Sequence, residues 1–192
     1  MIHMKLAEAF AFSAPVVCAV ICMIMMLMDA HARRSNPVER RLRLFLAFAY
    51  LVSLLGWLGM VFFVLSPRVF VYYYTVFLLT LMLDQVMIYR FVSIITNTGE
   101  HPKFNRLHLI IPLLIIAVSA TGSLLVPVDR QMDIIYGDAG YNSWFRVMYV
   151  TATVIFVVYN SLYPALNLRN IRRYREFIVN YSADAFVSLR SK

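Results

Sequence analysis

The sequence predicts an all-α, polytopic integral membrane protein, a bundle of about five transmembrane helices, and three observations carry that reading. First, 61% of its 192 residues are hydrophobic, against about 45–50% in an ordinary soluble domain. A water-soluble fold of this size has too much surface to hide such an excess. Second, the apolar residues gather into runs of roughly 18–25, the length a helix needs to cross about 30 Å of hydrocarbon. Third, most of the basic residues sit in the short segments between these runs.

The first span is predicted at about residues 9–28. A basic loop with Arg33, Arg34, Arg40, Arg41 and Arg43 follows, broken by Pro37. The second span, 44–65, ends at Ser66-Pro67, and the third, 69–95, carries Asp84 and Gln85 near its middle. A polar loop from Asn97 to Arg106 leads to the fourth span, 108–126. An acidic, aromatic loop from Asp129 to Trp144 precedes the fifth span, 145–168. Residues 1–168 thus form the transmembrane domain and 169–192 a basic juxtamembrane tail.

Orientation follows from the distribution of Lys and Arg, which favour the cytoplasmic side. Of the 18 basic residues, four lie with one set of connections: Lys5, Arg68, Arg130 and Arg146. The others lie at the opposite end, including those of the tail. This places the N-terminus outside and the C-terminus in the cytoplasm. The net charge of +8 therefore reads as a topology signal, with anionic lipid headgroups at the inner face as its partner, and not as a nucleic-acid surface. In the tail, Ile171, Tyr174, Phe177, Ile178 and Tyr181 recur at helical spacing among arginines. The stretch reads either as an amphipathic helix in the headgroup region or as a charged stop after the last span.

Polar groups at bilayer depth are the candidate functional residues. An ionisable side chain there costs at least about 2.5–3.5 kcal/mol and normally faces the protein interior with a partner. At about 100° per residue, Tyr73, Thr80 and Ile88 share the face of Asp84, while Tyr74, Leu81 and Tyr89 share that of Gln85. Asp84, Asn160 and Tyr50 each lie about fifteen residues, roughly 22 Å, from the outer end of their spans. Ser53 is one turn from Tyr50. Asp84, Gln85, Asn160, Tyr50 and Ser53 are thus expected to meet, either as hydrogen-bonding glue between helices or as a ligand, proton or ion site. Pro164 is expected to bend the fifth span and leave the Asn160 carbonyl without its helical donor.

Cys18, Cys22 and Met26 fall at i, i+4 and i+8, a line of soft donors suited to Cu(I), although sulfur side chains are also ordinary filler in apolar helices. His3, His31, His101 and His108 are scattered among termini and loops and are not expected to be ligands. No nucleophile–base pair, zinc motif or phosphate loop is present in the sequence, so neither an enzyme nor a cofactor is expected.

Three segments stand out: Asn36-Pro37-Val38-Glu39-Arg40-Arg41-Leu42, the Tyr-rich third span running to His108-Leu109-Ile110-Ile111-Pro112, and Arg172-Arg173-Tyr174-Arg175-Glu176-Phe177-Ile178-Val179-Asn180-Tyr181-Ser182. Together they resemble the N-terminal membrane domains of bacterial membrane-anchored AraC-type, helix-turn-helix transcriptional regulators. The resemblance implies a bacterial inner-membrane location and a cytoplasmic DNA-binding output domain outside this chain. It favours a sensor or signal-input module, with Asp129, Asp133, Tyr136, Asp138, Tyr141 and Trp144 as the outer surface. The alternative is a small proton-coupled transporter or channel using Asp84, as a homo-oligomer, and a further alternative is a membrane scaffold.

Overall fold

The computed structural model describes residues 2–33, 35–96, 105–137 and 144–190, with the backbone alone for 2–6 and 180–190. Six helices account for almost all of them: α1 (Ile2–Ala32), α2 (Pro37–Leu65), α3 (Pro67–Ile95), α4 (Leu107–Leu125), α5 (Val128–Tyr136) and α6 (Trp144–Arg190). There is no strand among the described residues. All but α5 are long and apolar enough to cross a membrane, as the sequence predicted.

Local chemistry fixes the helix ends. Asn36 caps α2, its Oδ1 accepting from the backbone N–H groups of Val38 at 3.2 Å and Glu39 at 3.4 Å, and Pro37 supplies a first helical residue that needs no donor. Pro67 does the same for α3, so a single residue, Ser66, joins two long antiparallel helices. Asn105 Oδ1 accepts from Leu107 N at 3.1 Å where α4 begins. Pro127 holds Val126 extended and separates α4 from α5.

Helix α3 is the centre. It packs against α2, α4, α5 and α6, whereas the main contacts of α1 are with α2. The core is the line Phe70, Tyr74, Leu78, Met82 and Val86 of α3 against Ile115 of α4 and Ala152, Tyr159 and Tyr163 of α6. Tyr74 meets Tyr149, and Tyr89 meets Tyr163. This near-constant offset of 74–75 residues means that α3 and α6 run parallel. Outward-facing apolar side chains such as Leu113, Leu124, Val147 and Val154 are exposed, the surface expected where hydrocarbon is the solvent.

Asp29 of α1 pairs with Arg43 of α2 at 2.9 Å and with Arg33 at 3.0 Å, and Arg33 in turn reaches Glu39 of α2 at 2.6 Å. This end, from which the C-terminal part of α6 emerges, is called the tail end below; the opposite end carries the α2–α3 turn and α5.

Two elements differ from expectation. The stretch expected as a loop from Asp129 begins as a helix, α5, lying across its end of the bundle. Gln131 is 2% exposed, and its Nε2 donates to Ser123 O and Val126 O, each at 2.7 Å. It thereby satisfies carbonyls that the end of α4 leaves open. Tyr136 stacks on Phe63 and donates its hydroxyl to Phe63 O at 3.0 Å; burial pushes that hydroxyl well above its ordinary pKa. Asp138 and Tyr141 lie outside the described residues, as do Asn97–Phe104 of the polar loop. The second difference is α6. It runs unbroken through Pro164 to Arg190, 47 residues in all, or about 70 Å at 1.5 Å per residue.

Candidate functional site

Ser53 of α2 donates its hydroxyl to Asp84 Oδ1 of α3 at 2.6 Å. The pair is the one hydrogen bond the structure makes between the five polar residues singled out in the sequence, among the described residues. The approach that permits it comes from Gly56, one turn along α2, which faces Leu81 and Thr80 of α3. Tyr73, about three turns from Asp84 on the same face, donates to Leu55 O of α2 at 2.8 Å. The whole stripe Tyr73–Thr80–Asp84 is therefore the α2-facing side of α3.

The other members separate. Gln85 lies on the adjacent stripe with Tyr74 and Tyr89, and those two tyrosines face α6. It is half-buried and makes no hydrogen bond to Asp84 or Ser53. Tyr50 turns to the other side of α2, toward Cys22 of α1. Asn160 is level with Asp84–Gln85 by the α3–α6 offset, but its Nδ2 donates to Phe156 O of its own helix at 2.9 Å. The expected five-residue cluster is thus corrected: α2 and α6 pack on different sides of α3, so Tyr50 and Ser53 cannot meet Asn160 within one protomer. The depths agree and the directions do not.

The sulfur line on α1 does not converge either. Cys18 is exposed and Cys22 half-buried beside Tyr50, while Met26 Sδ lies 4.0 Å from Arg43 Nη1 of α2. No cluster of three or more His, Cys, Asp or Glu side chains suited to a metal occurs among the described residues.

A polar aromatic cluster at the tail end was not anticipated. His108, at the start of α4 and not in a loop, has its Nδ1 2.7 Å from the hydroxyl of Tyr163 on α6. Tyr89 packs on both rings at 5.3 and 5.6 Å between centroids. Tyr159 packs on Tyr163 at 5.1 Å. Tyr163 is almost wholly buried, and one turn further Asn167 is 8% exposed with its Oδ1 unpartnered. The signal was present in the sequence as Tyr159, Tyr163 and Asn167 at i, i+4 and i+8. It could not be joined to His108 without knowing that α4 crosses α6 there.

Helices, core and surface together define a multi-pass α-helical membrane protein in which buried polar pairs link neighbouring helices. No protein family, curated protein or solved structure matches the chain.

Proposed function

We propose that this chain is a membrane-embedded signal-input module of a bacterial inner membrane, with α5 outside and the basic end of α6 in the cytoplasm. The observation that carries the reading is α6. One continuous helix starts beneath the α5 end, packs its Tyr149, Ala152, Tyr159 and Tyr163 face along the central helix, and continues into Arg169, Arg172, Arg173 and Arg175. A single helix that runs from one end to the other can carry a shift at one end to the other. The cap formed by α5 touches α2, α3 and α4 together, so a ligand altering the cap bears on the packing around α6. The basic segment would meet anionic headgroups, and the resemblance to membrane-anchored AraC-type regulators supplies a DNA-binding domain as the output that α6 would move.

The test uses paramagnetic labels at Arg41 and Arg173 of the full chain in nanodiscs, with their separation measured by pulsed dipolar spectroscopy. Breaking the cap with Gln131→Leu or Tyr136→Ala should shift or broaden that distance distribution. An unchanged distribution would remove the lever. A second reading, proton-coupled transport, is favoured by one observation, the Asp84–Ser53 pair inside the bundle. It predicts proton flux into proteoliposomes that disappears in Asp84→Asn, whereas the input module predicts no flux in either protein.

A further inference from the structure

Hydroxyl groups in an apolar helix ordinarily satisfy themselves by bonding the carbonyl one turn earlier. In this protein Thr80, Thr96, Thr121, Thr153 and Ser161 all do so, at 2.8–3.0 Å. Ser119 of α4 does not. It is 1% exposed and its Oγ has no hydrogen-bond partner. The residue lines a groove of about 360 Å³ between α4 and α6, within the range of about 300–1,000 Å³ typical of small-molecule sites.

The walls of the groove select its occupant. Ile115 and Ala152 flank Ser119 on the buried side, while Val118, Val147 and Trp144 at the rim are more than half exposed on the lipid-facing surface. Entry is therefore from the bilayer, sideways, and the body of the occupant must be apolar. The 19 residues of α4 make a helix of about 28 Å, which matches the hydrocarbon thickness. Ser119 lies six residues from Leu125, so about 9 Å inside that layer. A lipid acyl chain at this depth carries no acceptor or donor and leaves the hydroxyl unsatisfied, at a cost.

We propose that the α4–α6 groove is a binding site for a lipid-soluble small amphiphile, an apolar chain bearing one hydroxyl or carbonyl that hydrogen-bonds Ser119 Oγ. As the input of the proposed signalling module the site rests on that reading; as a binding site it does not, and the two are measured separately.

The chain has two tryptophans. Trp144 lines the groove, and Trp57 packs on Phe12 of α1, away from it. In a Trp57→Phe background in nanodiscs, Trp144 fluorescence is titrated with 11-bromoundecan-1-ol as quencher, and with 1-bromoundecane, which lacks the hydroxyl. The proposal expects saturable quenching by the alcohol, weakened about three- to tenfold by Ser119→Ala, and only linear quenching by the bromoalkane. Val118→Phe, a rim substitution facing lipid, fills the groove without touching the core and should abolish saturation. Linear quenching by both probes, or saturation by the alcohol unchanged in both variants, overturns the site. If saturable binding holds while the Arg41–Arg173 distance stays the same on adding the alcohol, the site stands and its link to the input module falls.

Discussion

Gly59→Ala tests the α2–α3 interface, because two glycines one turn apart make opposite predictions. A methyl group at Gly59 would overlap Cδ2 of Phe77 and lie 3.0 Å from its Cγ and 3.1 Å from its Cβ. Ring rotation relieves the first contact but not the last, since Phe77 Cβ is fixed to the α3 backbone. The helices must then separate by a few tenths of an ångström. Overpacking of this kind costs about 1–3 kcal/mol, and the gain in helix propensity from Gly to Ala offsets about 0.5–1 kcal/mol of it. At Gly56 the same methyl meets Leu81 Cδ2 at 3.3 Å and Thr80 Oγ1 at 3.4 Å, the movable ends of side chains. Gly59→Ala should therefore destabilise the bundle by about 0.5–2 kcal/mol, and Gly56→Ala should be neutral or slightly stabilising. Unfolding by SDS titration in mixed micelles, followed by circular dichroism, measures both. If Gly59→Ala is as stable as Gly56→Ala, the close approach of α2 to α3 at Phe77 is wrong.

Three further substitutions probe the polar contacts. Ser53→Ala removes the hydroxyl that Asp84 accepts and should cost about 1–3 kcal/mol by stranding a buried oxygen; a double-mutant cycle with Asp84→Asn in the same titration isolates the coupling, and additive effects would dissolve the pair. Gln131→Leu frees two carbonyls at the end of α4, so hydrogen exchange should rise across α5 and the last turn of α4 before it rises elsewhere. Tyr163→Phe removes the partner of His108 Nδ1 and should lower stability by about 0.5–1.5 kcal/mol. Its His108 imidazole resonances, followed by NMR in micelles, should shift; an unmoved spectrum would place His108 elsewhere.

Much of this was legible because a bilayer imposes a one-dimensional rule. Runs of apolar residues set the five long helices, and the rise per residue set depth, which put Asn160 level with Asp84 as the α3–α6 offset also does. Direction around a helix axis was only half legible. The two stripes of α3 drawn through Asp84 and through Gln85 are real, but hydropathy does not say which neighbour each stripe meets. Asp84 meets α2 and the tyrosines beside Gln85 meet α6, so Asn160 and Tyr50 fell away from the pair. Helix α5 was missed because Asp129, Arg130 and Asp133 make nine residues look like a loop, although Gln131 and Ile135 give it one inward face. His108 was read as a loop residue because the start of α4 was set at its own position. Its partner Tyr163 is 55 residues away in sequence.

The central claim is that α6 joins opposite sides of a five-span bundle, and cysteine accessibility tests it most directly. Single cysteines at Arg68, Asp133, Arg41 and Arg173, in a Cys18→Ser, Cys22→Ser background, are exposed in intact cells to a membrane-impermeant maleimide. The account predicts labelling at Arg68→Cys and Asp133→Cys in intact cells, and at Arg41→Cys and Arg173→Cys only after permeabilisation. Labelling of Asp133→Cys and Arg173→Cys from the same side would contradict it.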